Sequence, residues 1–297
     1  MPALPAVSAP WRDRAGRLSG LKLATFLAAL APGLWLAAAY AADALGAKPI
    51  TELLHGTGEW AVRFLLLSLA VTPLRRIANW PKLILVRRML GLTALAYALI
   101  HLGLYVVDQN FVLTKVVSEI VSRIYLTIGF VALLGLVVLG VTSTDGMIRR
   151  LGKAWPRLHK AVYLLTVLGL VHYFLQAKID VSDPVFWTGA FLLLMGWRAL
   201  QARRWPSNPL TLSLLAVGVA LATAGLEAAW YGLASGIPAE RVLQANLAFP
   251  TMIRPAWWVL ALGLTLPALN AARLAWDRLG RGSGPSRGRT RDAVAAN

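Results

Sequence analysis

The chain contains no cysteine among its 297 residues. That excludes disulfides, thiolate metal sites, iron–sulfur clusters and covalent haem attachment through Cys-x-x-Cys-His. Any redox centre must therefore use nitrogen or oxygen ligands. Acidic side chains are scarce, 13 against 30 basic ones, and charged residues make up only 14% of the chain, where a soluble domain carries about a quarter. No Gly-rich dinucleotide fingerprint is present, which counts against a built-in flavin or nicotinamide domain. Histidine is limited to four residues, few enough to weigh one by one.

What is abundant is apolar residues: 58% of the chain, with a mean hydropathy of +0.62. A spanning helix needs about 20 mainly apolar residues. Eight such runs are found, near 21–42, 58–74, 87–107, 119–141, 157–177, 184–200, 209–234 and 255–275. They predict an all-α integral membrane protein, a bundle of about eight transmembrane helices, because lipid offers no partner to unpaired backbone groups. The net charge of +17 could signal nucleic acid. Here the basic residues sit in short connections between apolar runs, which points to membrane topology and no nucleic-acid partner.

The connections alternate. Arg12, Arg14, Arg17 and Lys22 precede the first run; Arg75, Arg76, Lys82, Arg87 and Arg88 follow the second; Arg149, Arg150, Lys153, Arg157 and Lys160 follow the fourth; Arg198, Arg203 and Arg204 follow the sixth; an Arg-rich tail closes the chain. The intervening connections are basic-poor: Asp43, Lys48, Glu52 and Glu59; then Asp108, Lys115, Glu119 and Arg123; then Lys178, Asp180 and Asp183; then Glu240, Arg241 and Arg254. By the positive-inside rule this predicts a multi-pass protein of the bacterial inner membrane with both termini cytoplasmic. The first run, preceded by arginines and followed by Ala39–Ala42, can be read as a signal peptide. Its length exceeds the signal core of about 7–15 residues, which favours a retained helix. Residues 1–20 are basic and Pro/Ala-rich, and 280–297 are rich in Gly, Arg and Ser. Both are expected to be disordered, the tail drawn to lipid headgroups.

The topology gives each histidine a depth. His101 lies near the outer end of the third run. The fifth run begins near Pro156, a residue favoured at the first helical position, and puts His159 in its first turn near the cytoplasm. His172, thirteen residues on and about 20 Å further along the axis, shares the outer leaflet with His101. His55 falls in an outer loop. Ionisable residues inside a membrane helix are functional candidates by default. Two imidazoles at matched depth on different helices suit a low-spin haem held between them. A structural hydrogen bond is the plainer role, and it is preferred for His55. His159 and His172 are about 140° apart on an ideal helix, so a distortion near Gly169 would be needed to bring them to one face. Arg87, fourteen residues before His101 and on nearly the same helix face, is a candidate for a propionate at the inner end, although the positive-inside rule alone explains it and Arg88. Gly91 and Gly103 could admit a flat macrocycle. Glu227 could protonate or contact a quinone, but it reads first as an outer-interface carboxylate.

The segments RRMLGLTALAYALIHLGLY (87–105), YLTIG (125–129) and TSTDGMIRRLGKAWPRLHKAVYLLTVLGLVHYFLQAK (142–178) resemble the MsrQ (YedZ) family, the haem-binding membrane subunits of bacterial MsrPQ methionine sulfoxide reductase systems, within the wider ferric-reductase-like transmembrane group. TGEWAVRFLLLSLAVTPLRR (57–76) matches more weakly. The resemblance covers about 20–205. It implies haem b, one or two per chain, with His101, His159 and His172 at the ligand positions and Arg87 linked to the inner haem. It associates the family with FMN. It implies electron transfer from quinol or a cytoplasmic flavin reductase to a periplasmic molybdopterin-containing MsrP-like subunit, the heterodimer partner that reduces methionine sulfoxide in periplasmic proteins. The chain would then be the electron-transfer subunit and not the catalytic one, as no outer connection is long enough to house a molybdenum cofactor.

The organisation expected is a basic N-terminus (1–20), a six-helix haem-binding core (21–205), two additional helices (206–279) and a basic tail (280–297). The rival functions are a ferric reductase or oxidase and, further off, a transporter whose histidines relay protons or pack.

Overall fold

The fold is that of a computed structural model describing residues 9–12, 15–178, 180–249 and 252–282. The terminal segments 1–8 and 283–297, part of the stretches expected to be disordered, lie outside the described residues. The described chain is twelve α-helices and one 3-10 helix: α1 (Gly20–Ala41), α2 (Pro49–Ile77), a 3-10 turn (Pro81–Val86), α3 (Arg87–Asp108), α4 (Leu113–Ser122), α5 (Ile124–Val141), α6 (Asp145–Leu151), α7 (Ala154–Leu158), α8 (Ala161–Ala177), α9 (Ser182–Ala202), α10 (Pro209–Ser235), α11 (Ala239–Ala245) and α12 (Pro255–Gly282). No strand is found among the described residues. The all-α membrane fold is as expected.

Among the described residues, six helical segments are long and apolar enough to cross a membrane: Gly20–Ala41, Pro81–Asp108, Ile124–Val141, Ala154–Ala177, Pro209–Ser235 and Pro255–Trp276. They turn large apolar side chains such as Leu34, Leu99, Val138, Leu164 and Leu221 outward, as lipid contact requires. The other two expected spans are α2 and α9, of 29 and 21 residues. They are long enough but less apolar, because neighbours wall them in. α2 packs on α1, α3, α8, α9 and α12, and α9 on α2, α8, α10 and α12. Arg198, assigned from sequence to the connection after the sixth run, lies within α9 and donates to Leu69 O of α2 at 2.6 Å. A charge can sit there because backbone carbonyls of the bundle satisfy it.

Three boundaries differ from the sequence reading. α2 starts at Pro49, so His55 and Glu59 are helical and not in an outer loop. The run at 119–141 is two helices, α4 and α5, separated at Arg123 by extended backbone (φ −108°, ψ 107°). Leu113, Val117 and Val121 form an exposed apolar stripe on α4 while Val116 is buried, the pattern of an interfacial amphipathic helix. Pro156 lies within α7, and His159 caps that helix instead of occupying a first turn. The break in the fifth run is thus at His159–Lys160 and not at Gly169, which lies within α8.

One device fixes α1 against the core. Pro32 cannot donate within the helix. One residue on, the Tyr97 hydroxyl of α3 is inserted into the ladder: Gly33 N donates to it at 2.7 Å, and it donates to Ala29 O at 3.0 Å. Such insertion is a recognised cause of helix kinks. At the far side, α9, α10 and α12 pack tightly because a Cβ on Gly263 would stand 2.7 Å from the Ala216 Cβ. Close approach of small residues is how membrane helices gain packing energy.

Candidate functional site

A partly open cavity of about 810 Å³ lies between α2, α3, α4, α5 and α8, within the size range of small-molecule and cofactor sites. His101 from α3 and His172 from α8 both line it, with ring centroids 6.2 Å apart and planes at 82°. Two imidazoles binding one metal at about 2.0–2.1 Å each have centroids roughly 6 Å apart. The observed separation suits a shared metal.

Each ring is fixed in the same way. His101 Nδ1 is 2.8 Å from Leu54 O, and His172 Nδ1 is 2.7 Å from Tyr125 O. A carbonyl only accepts, so each Nδ1 carries its proton and each Nε2 is left with a lone pair, the tautomer a metal ligand needs. The rings also rest on glycines of the facing helices. A Cβ on Gly58 would stand 2.9 Å from His101 Nδ1, and one on Gly129 would stand 2.7 Å from His172 Nδ1. Only glycine leaves room for α2 to approach His101, or α5 to approach His172.

The walls deeper in are apolar, with Ala61, Leu65, Ala98, Leu133 and Leu136. The charged lining comprises Lys115, Arg123 and Lys178 together with Glu59, Asp108, Glu119, Asp180 and Asp183, with Arg123 held by Glu119 at 3.1 Å. An apolar slot, two nitrogen donors and cationic groups in the lining fit an amphipathic macrocycle with carboxylate arms, such as haem. Glu59, at the cavity wall, pairs with Arg63 at 2.8 Å, and that guanidinium lies 4.7 Å over the Trp60 ring. His55 lines the cavity too.

The other candidates lie elsewhere. His159 is separated from His172 by most of α8. Its Nε2 is 3.1 Å from Thr142 Oγ1, and its ring stacks on Trp155 at 4.0 Å and 26°. Trp155 Nε1 donates to Thr142 O at 2.9 Å, so Thr142, Trp155 and His159 form one locked unit. Arg87 opens α3, and its neighbour Arg88 pairs with Asp145 at 2.7 Å. Gly91 and Gly103 face open space and do not line the cavity; the glycines at the histidines are Gly58 and Gly129. Glu227 lies in α10. It is fully buried, 2.8 Å from Arg254 and 3.2 Å from Asn246 Nδ2.

Sequence reasoning found the histidine pair but missed its seats. The available signal was a glycine in an apolar run facing each histidine. Which glycine meets which ring depends on the helix pairing.

A family model described as "Ferric reductase like transmembrane component" matches residues 57–170, from α2 into α8, including His101 and His159 and stopping two residues short of His172. The fold and the match together define a ferric-reductase-like membrane component. Curated relatives narrow this further. The "protein-methionine-sulfoxide reductase heme-binding subunit MsrQ" of Xanthomonas campestris pv. campestris is 44% identical over 193 residues, covering 62% of this chain and 88% of the relative. That of Rhodospirillum rubrum is 45% identical over 195 residues, covering 65% and 91%. The Caulobacter vibrioides protein of the same description is 42% identical over 185 residues, covering 62% and 88%. This chain belongs to the MsrQ family. No solved structure matches it.

Proposed function

We propose that this chain is the haem-carrying, electron-transferring membrane subunit of a protein-methionine-sulfoxide reductase, with His101 and His172 as the residues that would hold one b-type haem. The observation that carries the reading is the pair of imidazoles 6.2 Å apart, each held through Nδ1 by a backbone carbonyl of a neighbouring helix. When bound, haem supplies one-electron transfer between ferric and ferrous iron. The protein's part is to keep two Nε2 lone pairs aimed into an apolar slot and to limit reorganisation. Leu54 O and Tyr125 O orient the rings, Gly58 and Gly129 seat them, and Ala61, Leu65 and Leu133 exclude water. Lys115 and Arg123 in the lining would hold carboxylate arms.

His159 is assigned to a second haem at the other end of the bundle, with Arg87 carried over from the family resemblance as the residue linked to it. Its Nε2 is engaged by Thr142, so ligation there uses Nδ1 or displaces Thr142. The partner is a periplasmic molybdopterin-containing MsrP-like subunit. This chain does not perform the sulfoxide chemistry itself. It sits in the bacterial inner membrane with both termini cytoplasmic, a reading that rests on the alternation of basic connections. Quinol or a cytoplasmic flavin reductase as donor, and FMN as a further cofactor, carry over from the family resemblance alone.

The test is to co-express the chain with an MsrP-like subunit, reduce the complex, and add methionine sulfoxide. The reading expects the reduced spectrum to return to the oxidised form, with no such return for the chain alone or for His172→Ala. Reoxidation by methionine sulfoxide in the chain alone would overturn the division of labour.

A further inference from the structure

At the other end of α2 from the histidine cavity, a second cavity of about 350 Å³ opens between the end of α2, the α9–α10 connection and α12. Its lining includes Arg76, Ser207, Asn208, Asn270 and Arg273. Asn270 is 5% exposed, and its Oδ1 has no hydrogen-bond partner. Buried polar atoms without partners are rare and call for an explanation. An unpaired acceptor buried in an apolar helix and lining a cavity is explained by a ligand that brings a donor.

The surroundings say which ligand. Arg76 lies 5.8 Å over the Trp197 ring, with Nη1 3.5 Å from Gln201 Oε1, an arrangement that holds its guanidinium at the cavity edge. Arg273 Nη1 donates to Ile77 O at 3.1 Å from the opposite wall. Asn208 caps α10, its Oδ1 accepting from Thr211 N at 2.8 Å, so the N-terminus of this 27-residue helix adds a partial positive charge. No acidic side chain is among the described lining residues. Arginine recognises phosphate oxygens through paired donors. Leu274 lines the cavity and is also partly exposed on α12, an apolar surface at its edge for an acyl chain. Basic pockets between helices at the cytoplasmic interface are general binding sites for anionic headgroups.

We propose that this cavity seats the headgroup of an anionic, hydroxyl-bearing phospholipid of the phosphatidylglycerol type, its phosphate on Arg76 and Arg273 and a headgroup hydroxyl donating to Asn270 Oδ1. The lipid bridges α2 of the core to α10 and α12, the two helices beyond the expected six-helix core, and gives them a role. The assignment is independent of the haem reading.

The experiment is native mass spectrometry of the full chain in non-ionic detergent, titrated with phosphatidylglycerol, with phosphatidylcholine and with inorganic phosphate. Arg76→Gln, Asn270→Leu and the nearby exposed Arg203→Gln are compared after each is shown to elute as a single species. The proposal expects retained phosphatidylglycerol, at least tenfold weaker binding in Arg76→Gln, a clear loss in Asn270→Leu, and no change in Arg203→Gln. Arg76 is exposed, so its variant keeps the test open if Asn270→Leu fails to fold. Equal retention of phosphatidylcholine, equal weakening in Arg203→Gln, or inorganic phosphate binding while the lipid does not would each overturn it.

Discussion

Gly129→Ala should displace His172 and cost the protein its haem. The Cβ would stand 2.7 Å from Nδ1, 2.9 Å from Cε1 and 3.0 Å from Cγ of that ring. Ordinary contact begins near 3.4 Å, so ring or helix must yield by about 0.7 Å, more than the roughly 0.5 Å tolerance of a functional constellation. The ring cannot simply slide, because its Nδ1 is bonded to Tyr125 O at 2.7 Å and Tyr125 lies on the same helix as Gly129. Overpacking of this kind costs about 1–3 kcal/mol, an amount a membrane bundle survives. The expected result is a protein that inserts and purifies but carries a haem-to-protein ratio several-fold below wild type. Gly103→Ala, where a new Cβ meets nothing within 4 Å, should keep the wild-type ratio. The assay is the ratio of Soret absorbance to protein concentration in the detergent-purified variants. Full haem occupancy with an unchanged spectrum in Gly129→Ala would refute the argument that the glycine seats the ligand.

Gly58→Ala should act in the same direction but more mildly, since its nearest ring atom is at 2.9 Å; the same haem ratio checks it. His159→Ala should remove a spectral component different from the one lost in His101→Ala, and identical losses would sink the two-site reading. Tyr97→Phe removes the hydroxyl that links Gly33 N to Ala29 O and ties α1 to α3 and should cost about 0.5–1.5 kcal/mol, read as a lower midpoint of thermal unfolding in detergent. Glu227→Ala strands Arg254, a partner at 2.8 Å whose side chain is only 19% exposed. Removing one member of a buried pair costs about 3–5 kcal/mol, whereas a double replacement with Glu227→Leu and Arg254→Leu should recover most of the loss on the same unfolding curve.

The spans were legible because each is a local composition, and the two that are less apolar are α2 and α9, which are packed among other helices of the bundle. The start of α2 was readable in principle, as Pro49 at the first position and Glu52 in the first turn are helix-start signals. The break at Arg123 was not, since no Gly or Pro marks it and the hydroxyl of Thr127 reaches back to Ile120 O only once the turn exists. His101 and His172 could be matched by depth because depth follows from counting residues along a helix. The seats on Gly58 and Gly129, and the burial of Glu227 against Arg254 and Asn246, required knowing which helices touch. That is a property of the assembled bundle and not of any window of sequence.

The most direct test of the central claim is the absorption spectrum of the detergent-purified protein, oxidised and then reduced with dithionite, for wild type, His101→Ala and His172→Ala. The account predicts a sharp low-spin reduced α-band with a strong Soret shift in the wild type, and loss of the same component in both variants. A colourless wild-type protein expressed with adequate haem, or a spectrum unchanged by either substitution, would contradict it.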